Sequence, residues 1–160
     1  MVRLKSIVRQ AIVLGSILLP GFCLAQLKAH SFEEIEDLQK NMQKPVVVFI
    51  YTNWCRYCDA MKTTVFKNQA VAQTLNKDYY FAPLNAEEKK DILFNNHIFK
   101  YKPNGNNTGV HALATALATI DGKATYPALV ILNAKREIVF QYGGWLNHKD
   151  LSIILRTVSE

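Results

Sequence analysis

Residues 52–58 read TNWCRYC and directly follow an apolar run, PVVVFIY, over residues 45–51. The run is mostly β-branched or aromatic and has no polar alternation, which is typical of a central strand buried on both faces. From Cys55 onward the chain favours a helix, because Cys58, Met61 and Val65 recur at helical spacing. Two cysteines separated by two residues, between a strand and a helix, are the pattern of a dithiol that opens and closes a disulfide. We therefore interpret Cys55 and Cys58 as the active site.

The expected start of the helix gives the two cysteines different roles. A sulfur on Cys55 would lie by the free N–H groups of the first turn, where the helix dipole favours a thiolate. Such positions lower a thiol pKa from about 8.5 to roughly 3.5–7.5. Cys58 lies one turn later on the same face and can reach back to Cys55. The spacing predicts Cys55 as the nucleophile and Cys58 as the resolving cysteine.

The first 25 residues have the composition of a secretory signal peptide. Three positive residues, Arg3, Lys5 and Arg9, precede the apolar stretch Ala11–Leu19. Ala25 is the small residue at the expected cleavage site. The apolar stretch is too short for a bilayer, which takes about 20 residues. We expect cleavage after Ala25, a folded domain over residues 26–160, and a periplasmic or secreted protein.

The third cysteine, Cys23, raises the alternative of a lipidated lipoprotein. Phe22 argues against it, because such signals normally carry a small residue at that position. Cleavage after Ala25 would leave Cys55 and Cys58 as the remaining cysteines. A single close pair of cysteines in an oxidising compartment favours a redox-active disulfide over a structural disulfide, which would normally close a longer loop.

The charge balance excludes one class of partner. The chain has 19 Lys and Arg against 13 Asp and Glu, and without the three basic residues of the signal peptide the balance is 16 against 13. This mild excess, with no basic stripe and no interleaved aromatic residues, does not suggest nucleic acid.

A mature chain of about 135 residues can bury roughly two thirds of its unfolded surface.

The rest of the mature chain alternates helices and strands. Periodicity and turn signals predict, in order, a helix over Ser31–Gln43 with a capping box, a strand over Tyr79–Leu84, a hairpin over Ile92–Phe99, a loop over Lys102–Gly109, a helix over Val110–Ile120, strands over Ala128–Leu132 and Glu137–Tyr142, and a last helix capped by Asn147. Pro83 predicts an end or edge position for its strand. The pair Asn95-Asn96 tolerates positive φ and suits the hairpin turn.

This order of elements resembles the thioredoxin fold, and the similarity covers about residues 32–158. The segment from Trp54 to Cys58 resembles that family's Trp-Cys-x-x-Cys site. Tyr126-Pro127 resembles its cis-proline, and Gly143-Gly144 stands where the family has a glycine before the last helix. The resemblance implies an α/β fold with a central mixed β-sheet flanked by helices, and an insertion before the cis-proline.

The resemblance also implies a substrate groove. The residue before the family's cis-proline offers its backbone to an extended peptide, a small case of β-strand addition. Tyr126 and Pro127 would then line the groove, and Trp54 would form another wall. Arg56 and Tyr57, between the cysteines, are further candidates for contact with substrate.

The sequence departs from ordinary thioredoxins in three ways. Phe49 stands where they have a buried aspartate, six residues before the first cysteine. Arg56 and Tyr57 replace glycine-proline, and Arg56 should favour the Cys55 thiolate and raise the reduction potential, whereas Asp59 acts in the opposite direction. The segment over residues 95–125 is longer than the matching segment of a minimal thioredoxin, and this insertion could select a partner.

We expect a thiol–disulfide oxidoreductase that exchanges the Cys55–Cys58 disulfide with substrate proteins in the cell envelope, in the reductase direction. It would need no metal or organic cofactor, would act as a monomer and would have a membrane redox partner. One alternative is a copper-handling metallochaperone that uses the same sulfurs, since a soft dithiol can bind Cu(I). Another is a redox-inert peptide-binding module. A zinc site would need two further ligands, and the histidines His97, His111 and His148 lack ligand spacing.

Overall fold

The computed structural model describes residues 26–158. The predicted signal peptide and Cys23 lie outside the described residues. Within residues 26–158, no helix combines the length and the apolar character needed to cross a membrane.

The described chain contains α-helices and β-strands in an alternating order. In chain order they are α1 (Phe32–Asn41), β1 (Val46–Tyr51), α2 (Arg56–Ala60), α3 (Gln69–Asp78), β2 (Tyr80–Asn85), β3 (Ile92–Phe94), β4 (His97–Phe99), β5 (Tyr101–Gly105), β6 (Thr108–His111), α4 (Ala112–Ala118), β7 (Thr119–Ile120), β8 (Lys123–Ala124), β9 (Ala128–Leu132), β10 (Ile138–Gly143) and α5 (His148–Val158). A π-helical turn, Met61–Val65, continues α2 directly. Ser31 and Glu34 form the predicted capping box at the start of α1.

A four-stranded mixed sheet in the order β10-β9-β1-β2 forms the centre of the fold. Strand β1 pairs parallel with β2 and antiparallel with β9, so that it is hydrogen-bonded on both sides. This confirms the central strand and the predicted fold class. Pro83 lies in β2, an edge strand of this sheet, where its missing N–H costs no ladder hydrogen bond.

Alternation along the strands divides the core into two layers. Residues such as Val48 and Ile50 pack against α1 and α4 on one face. Residues such as Val47 and Phe49 pack on the other face against α2, α3 and α5. Because both faces of β1 are covered, its continuous apolar sequence is explained, and its end is held rigidly where the two cysteines follow.

The segment over residues 92–125, which we call the hairpin region, differs from prediction. The predicted loop over Lys102–Gly109 forms the hairpin β5–β6. A β-carbon at Gly109 would lie 2.5 Å from the Lys102 carbonyl oxygen, so this close pairing requires glycine. The predicted helix over Val110–Ile120 is shorter, because its first residues pair in β6 and its last two form β7. The expected turn at Asn95-Asn96 is confirmed, with φ of 54° and 58°.

Side chains fasten the tip of the β3–β4 hairpin to the body of the fold. The Asn95 N–H donates to Glu36 Oε1 at 2.6 Å. That carboxylate pairs with Arg136, which lies before β10, at 3.1 Å. The Arg136 guanidinium also lies 5.7 Å from the centre of the Phe94 ring. The hairpin is therefore held by a few polar contacts in addition to its apolar ones.

Candidate active site

The two cysteines lie at the start of α2 and are joined by a disulfide, with their Cα atoms 5.2 Å apart. Cys55 is the N-cap residue, and its Sγ accepts a hydrogen bond from the Cys58 N–H at 3.1 Å. The predicted helix start is therefore confirmed. A thiolate on Cys55 would receive the same N–H and the positive end of the helix dipole.

The two sulfur-bearing residues differ in exposure. Cys55 retains 6% of its accessible surface and Cys58 retains 0%. Cys55 is therefore the more accessible of the two cysteines to a partner molecule. This asymmetry matches the roles that the sequence predicts for the two residues.

Phe49 lies in the core layer that contains both cysteines. It is 1% exposed, and its ring packs against Phe66 with ring centres 4.7 Å apart. The side chain at this position of β1 therefore points to the dithiol side of the sheet and provides an apolar wall. A proton acceptor for Cys58 is missing at this position, as the sequence comparison with thioredoxins implies.

Trp54 stands at the surface in front of the cysteines, with 70% of its surface exposed. Its indole N–H donates to Glu87 Oε1 at 3.2 Å. The other oxygen of Glu87 lies 3.5 Å from the Asn53 N–H, from which it accepts a long hydrogen bond. The indole is thus fixed in orientation although it is open to solvent.

Tyr126 and Pro127 lie beside this tryptophan. Their peptide bond is cis, as the resemblance implies, and the ring centres of Trp54 and Tyr126 are 6.5 Å apart in an edge-to-face arrangement. Burial raises the pKa of Tyr126, and the Glu87 carboxylate acts in the same direction. The Gly144 N–H donates to the Pro127 carbonyl at 2.8 Å, so the start of β9 and the end of β10 are joined here.

The two residues between the cysteines face solvent. Arg56 is exposed, and Tyr57 retains 68% of its surface. Within residues 26–158 the structure shows no ion pair of Arg56, whereas Asp59 lies 3.7 Å from the Lys62 ammonium. The structure therefore brings Trp54 and Tyr126 together and leaves Arg56 and Tyr57 open to a partner.

Sequence reasoning missed two residues of this surface. Glu87 is not among the residues that the sequence predicts for the site, yet its carboxylate accepts a hydrogen bond from the Trp54 indole, 33 positions away. No sequence signal indicates that contact. Trp145 is 45% exposed and directly follows Gly144, whose N–H donates a hydrogen bond to the Pro127 carbonyl. An exposed aromatic directly after the Gly-Gly break was a signal that could have identified it.

His111 is completely buried at the start of α4, where its Nδ1 accepts a hydrogen bond from the Leu113 N–H at 3.3 Å. Its backbone N–H donates to the Ala86 carbonyl just beyond β2, so this histidine lies near the end of that strand. Among residues 26–158, no three His, Cys, Asp or Glu side chains are grouped so that they could hold a metal ion.

Comparison with known proteins gives a family match. A profile described as a thioredoxin-like domain matches residues 32–159. This match covers most of the chain, including the dithiol, the cis-proline and the hairpin region. No curated protein matches the chain.

Solved structures with the same fold are distant in sequence. A thioredoxin from Thermus thermophilus is 20% identical, with a TM-score of 0.58 over 83% of this chain and 87% of that chain. A structure described as DsbH oxidoreductase is 17% identical, with a TM-score of 0.58 over 90% and 94%. A thioredoxin-fold protein from Helicobacter pylori is 15% identical, with a TM-score of 0.56 over 73% and 70%. At these identities the similarity establishes the fold.

Proposed function

Since the chain belongs to the family of thioredoxin-like domains, we propose that it is a thiol–disulfide oxidoreductase acting on protein substrates. One observation carries this proposal. A disulfide lies at a helix N-terminus, with Cys55 6% exposed and its Sγ capped by a backbone N–H, and with Cys58 fully buried. A structural staple would gain nothing from this asymmetry, whereas thiol exchange requires it.

Reduction of a substrate disulfide proceeds in two exchanges. The Cys55 thiolate attacks one substrate sulfur, forms a mixed disulfide and releases the other substrate sulfur as a thiolate. The Cys58 thiolate then attacks Cys55 Sγ, closes the internal disulfide and releases the second substrate thiolate. Two electrons pass from the protein to the substrate, and the released thiolates take protons from water. The Cys58 N–H next to Cys55 Sγ stabilises the thiolate before attack.

The surface around Cys55 suits an extended peptide. Trp54 and Tyr126 form an edge-to-face wall, and Pro127 directly precedes β9. Arg56 and Tyr57, between the two cysteines, are exposed to solvent. We assign these five residues to substrate contact, with the backbone of Tyr126 pairing with the peptide as in β-strand addition.

We propose the reductase direction. Arg56 is exposed, so solvent and salt screen its attraction for the Cys55 thiolate. Asp59, one residue after Cys58, partly opposes it. With these effects small, the reduction potential should stay nearer to that of thioredoxin, about −270 mV, than to that of a strong oxidant at about −120 mV.

The exchange is tested by the same substitution at the two cysteines. Reduced protein is mixed with a disulfide-bonded substrate such as insulin, with dithiothreitol as electron source, and precipitation of the reduced chains is followed. Cys55→Ser should fall to the uncatalysed rate. Reduced Cys58→Ser, freed of dithiothreitol before it meets the substrate, should accumulate a mixed disulfide at Cys55 that mass spectrometry identifies. Equal activity of the wild type and Cys55→Ser would reject the proposal and favour the redox-inert peptide-binding module.

A histidine variant tests the copper hypothesis. A metallochaperone would bind Cu(I) stoichiometrically, and replacing a specific histidine would release the metal. The variant to compare is His111→Asn. Because the His111 imidazole already caps α4, we expect this substitution to leave the affinity for Cu(I) unchanged. Loss of a stoichiometric complex in that variant would favour copper handling.

We also propose that the protein works in the cell envelope and receives electrons from a membrane redox partner. The support is the composition of residues 1–25, with three basic residues before an apolar stretch. Mass spectrometry of the protein expressed in a Gram-negative host should give a mature N-terminus at Gln26 in the periplasmic fraction. An uncleaved chain in the cytoplasmic fraction would contradict the proposed location.

A further inference from the structure

A cavity lies on the dithiol side of the sheet, at its β2 edge. Its volume is about 620 Å³, within the range of roughly 300–1,000 Å³ that small-molecule sites occupy. It opens between the β1–β2 edge, the π-helical turn after α2 and the first described residues of the chain. The residues that matter for its chemistry are Phe49, Tyr51, Lys62, Phe66, Lys67 and Phe81.

The floor of the cavity is aromatic. The Phe66 ring packs between Phe49 and Phe81, with ring centres 4.7 and 4.9 Å away. All three side chains belong to the core layer shared with the cysteines and are at most 7% exposed. The floor is therefore held in place by the core and does not need to form when a ligand arrives. An apolar ligand body would pack on preformed rings.

The rim of the cavity carries two lysines. The Lys62 ammonium lies 3.4 Å from the centre of the Tyr51 ring and 3.7 Å from Asp59 Oδ1. Lys67 is exposed, and the structure of residues 26–158 shows no ion pair for it. The other polar residues of the lining, Gln26 and Gln69, are uncharged. Asp59 offsets part of the Lys62 charge, so Lys67 supplies the positive charge at the mouth that attracts an anion.

We propose that this cavity binds a small anionic amphiphile, with a carboxylate or similar group at Lys62 and Lys67 and an alkyl or aryl body on the phenylalanine floor. The ligand is a free molecule of this class. The site is separate from the peptide groove, because its lining includes neither cysteine and neither Trp54 nor Tyr126. The inference therefore goes beyond disulfide exchange and does not depend on it.

The experiment titrates the oxidised protein with dodecanoate below its micelle concentration, followed by calorimetry and by NMR. We expect saturable binding of one molecule, with resonances of Phe66 and Phe81 shifted. Dodecyltrimethylammonium should bind at least fivefold more weakly, and hexanoate should also bind more weakly because it covers less of the floor. Lys67→Glu should weaken dodecanoate at least fivefold. Lys77→Glu is the matched control, since Lys77 is 83% exposed and is not in the lining.

Three results would overturn the proposal. The first is no saturable dodecanoate binding to the folded wild type. The second is equal affinity for the cationic and anionic probes, or equal affinity of Lys67→Glu and Lys77→Glu. The third is association with vesicles containing anionic lipid but not with monomeric dodecanoate, which would make this face a membrane-binding surface. Circular dichroism of each variant establishes that the folded protein was tested.

Discussion

Residues 52–58, the dithiol segment, and residues 92–125, the hairpin region, are built in opposite ways. The dithiol segment follows a strand that is hydrogen-bonded on both sides and covered on both faces. The hairpin region consists of two-stranded pieces around the short helix α4. Its β3–β4 tip is fastened by Glu36 and Arg136, whereas α4 is packed into the core on one face of the sheet.

We expect the dithiol segment to be rigid and the hairpin region to be more adaptable. The chemistry needs two sulfurs held in a fixed geometry, and a central strand supplies that. Strands β4 and β5, which are mostly exposed and lie outside the central sheet, can open locally at less cost than that sheet. We therefore expect substitutions in the hairpin region to change stability locally and partner choice, while exchange at the cysteines continues.

The comparison can be broken most directly with one substitution made both in β1, the strand that leads into the dithiol segment, and in the hairpin region. Ile50 in β1 is 0% exposed, and Ile98 in β4 is 55% exposed. Ile50→Ala should lower the free energy of unfolding by about 2–5 kcal/mol, through lost burial and a residual cavity. Ile98→Ala should change it by less than about 0.5 kcal/mol. Urea denaturation measures both, and similar losses would show that the hairpin region is as tightly packed as the sheet.

The next effect concerns the fastening of the hairpin tip. Arg136→Ala removes the partner of Glu36 and should cost about 1–2 kcal/mol, since both side chains keep about a fifth of their surface and are partly screened. Amide hydrogen exchange should rise in β3 and β4 more than in β1. Lys135→Ala is the control, because Lys135 is exposed and adjacent. Uniform exchange throughout the sheet would mean that the tip is not a separate unit.

A smaller effect is expected at the tryptophan beside the dithiol. Glu87→Ala removes the acceptor of the Trp54 N–H and should lower kcat/KM for disulfide exchange about threefold to tenfold, or about 1 kcal/mol. Glu87→Gln keeps an acceptor oxygen and should retain most of the activity. Fluorescence of Trp54 in a Trp145→Phe background reports the indole environment. Unchanged fluorescence and kinetics in Glu87→Ala would show that Glu87 does not position Trp54.

The smallest effect depends on pH. Burial lowers the pKa of His111 from its usual 6.5, against weaker opposing effects of the Phe99 and Lys90 backbone and of the Glu88 and Asp91 carboxylates. The unfolded chain then binds a proton more readily, so stability is full above pH 6.5 and falls as the pH drops below it. His111→Asn keeps a capping oxygen and should reduce this acid loss. His148→Asn, on an exposed histidine, is the control, and identical pH profiles for the two variants would exclude His111 as the cause.

Local signals explain what could be predicted from the sequence. The apolar run before Cys55, the cysteine spacing and the capping box at Ser31 each depend on residues within a few positions of one another. Such patterns specify one element and its ends. The central strand, the helix start at the dithiol and the hairpin turn at Asn95-Asn96 were accordingly predicted correctly.

The errors come from pairings that leave no local pattern. The β5–β6 hairpin has almost no apolar residues, and backbone hydrogen bonds and the close approach at Gly109 hold it together. Apolar spacing from Val110 to Ile120 fits a helix, but backbone pairing with β5 and β8 takes both ends. The bond between Trp54 and Glu87 joins distant positions through the ends of neighbouring strands β1 and β2.

The reduction potential of the Cys55–Cys58 pair tests the central claim most directly. Protein beginning at Gln26 is equilibrated in glutathione buffers of stepped ratio, and the two redox forms are separated after thiol alkylation. We predict one reversible two-electron transition, closer to about −270 mV than to about −120 mV. A potential near −120 mV would contradict the reductase direction. Absence of any reversible transition would contradict thiol–disulfide exchange itself.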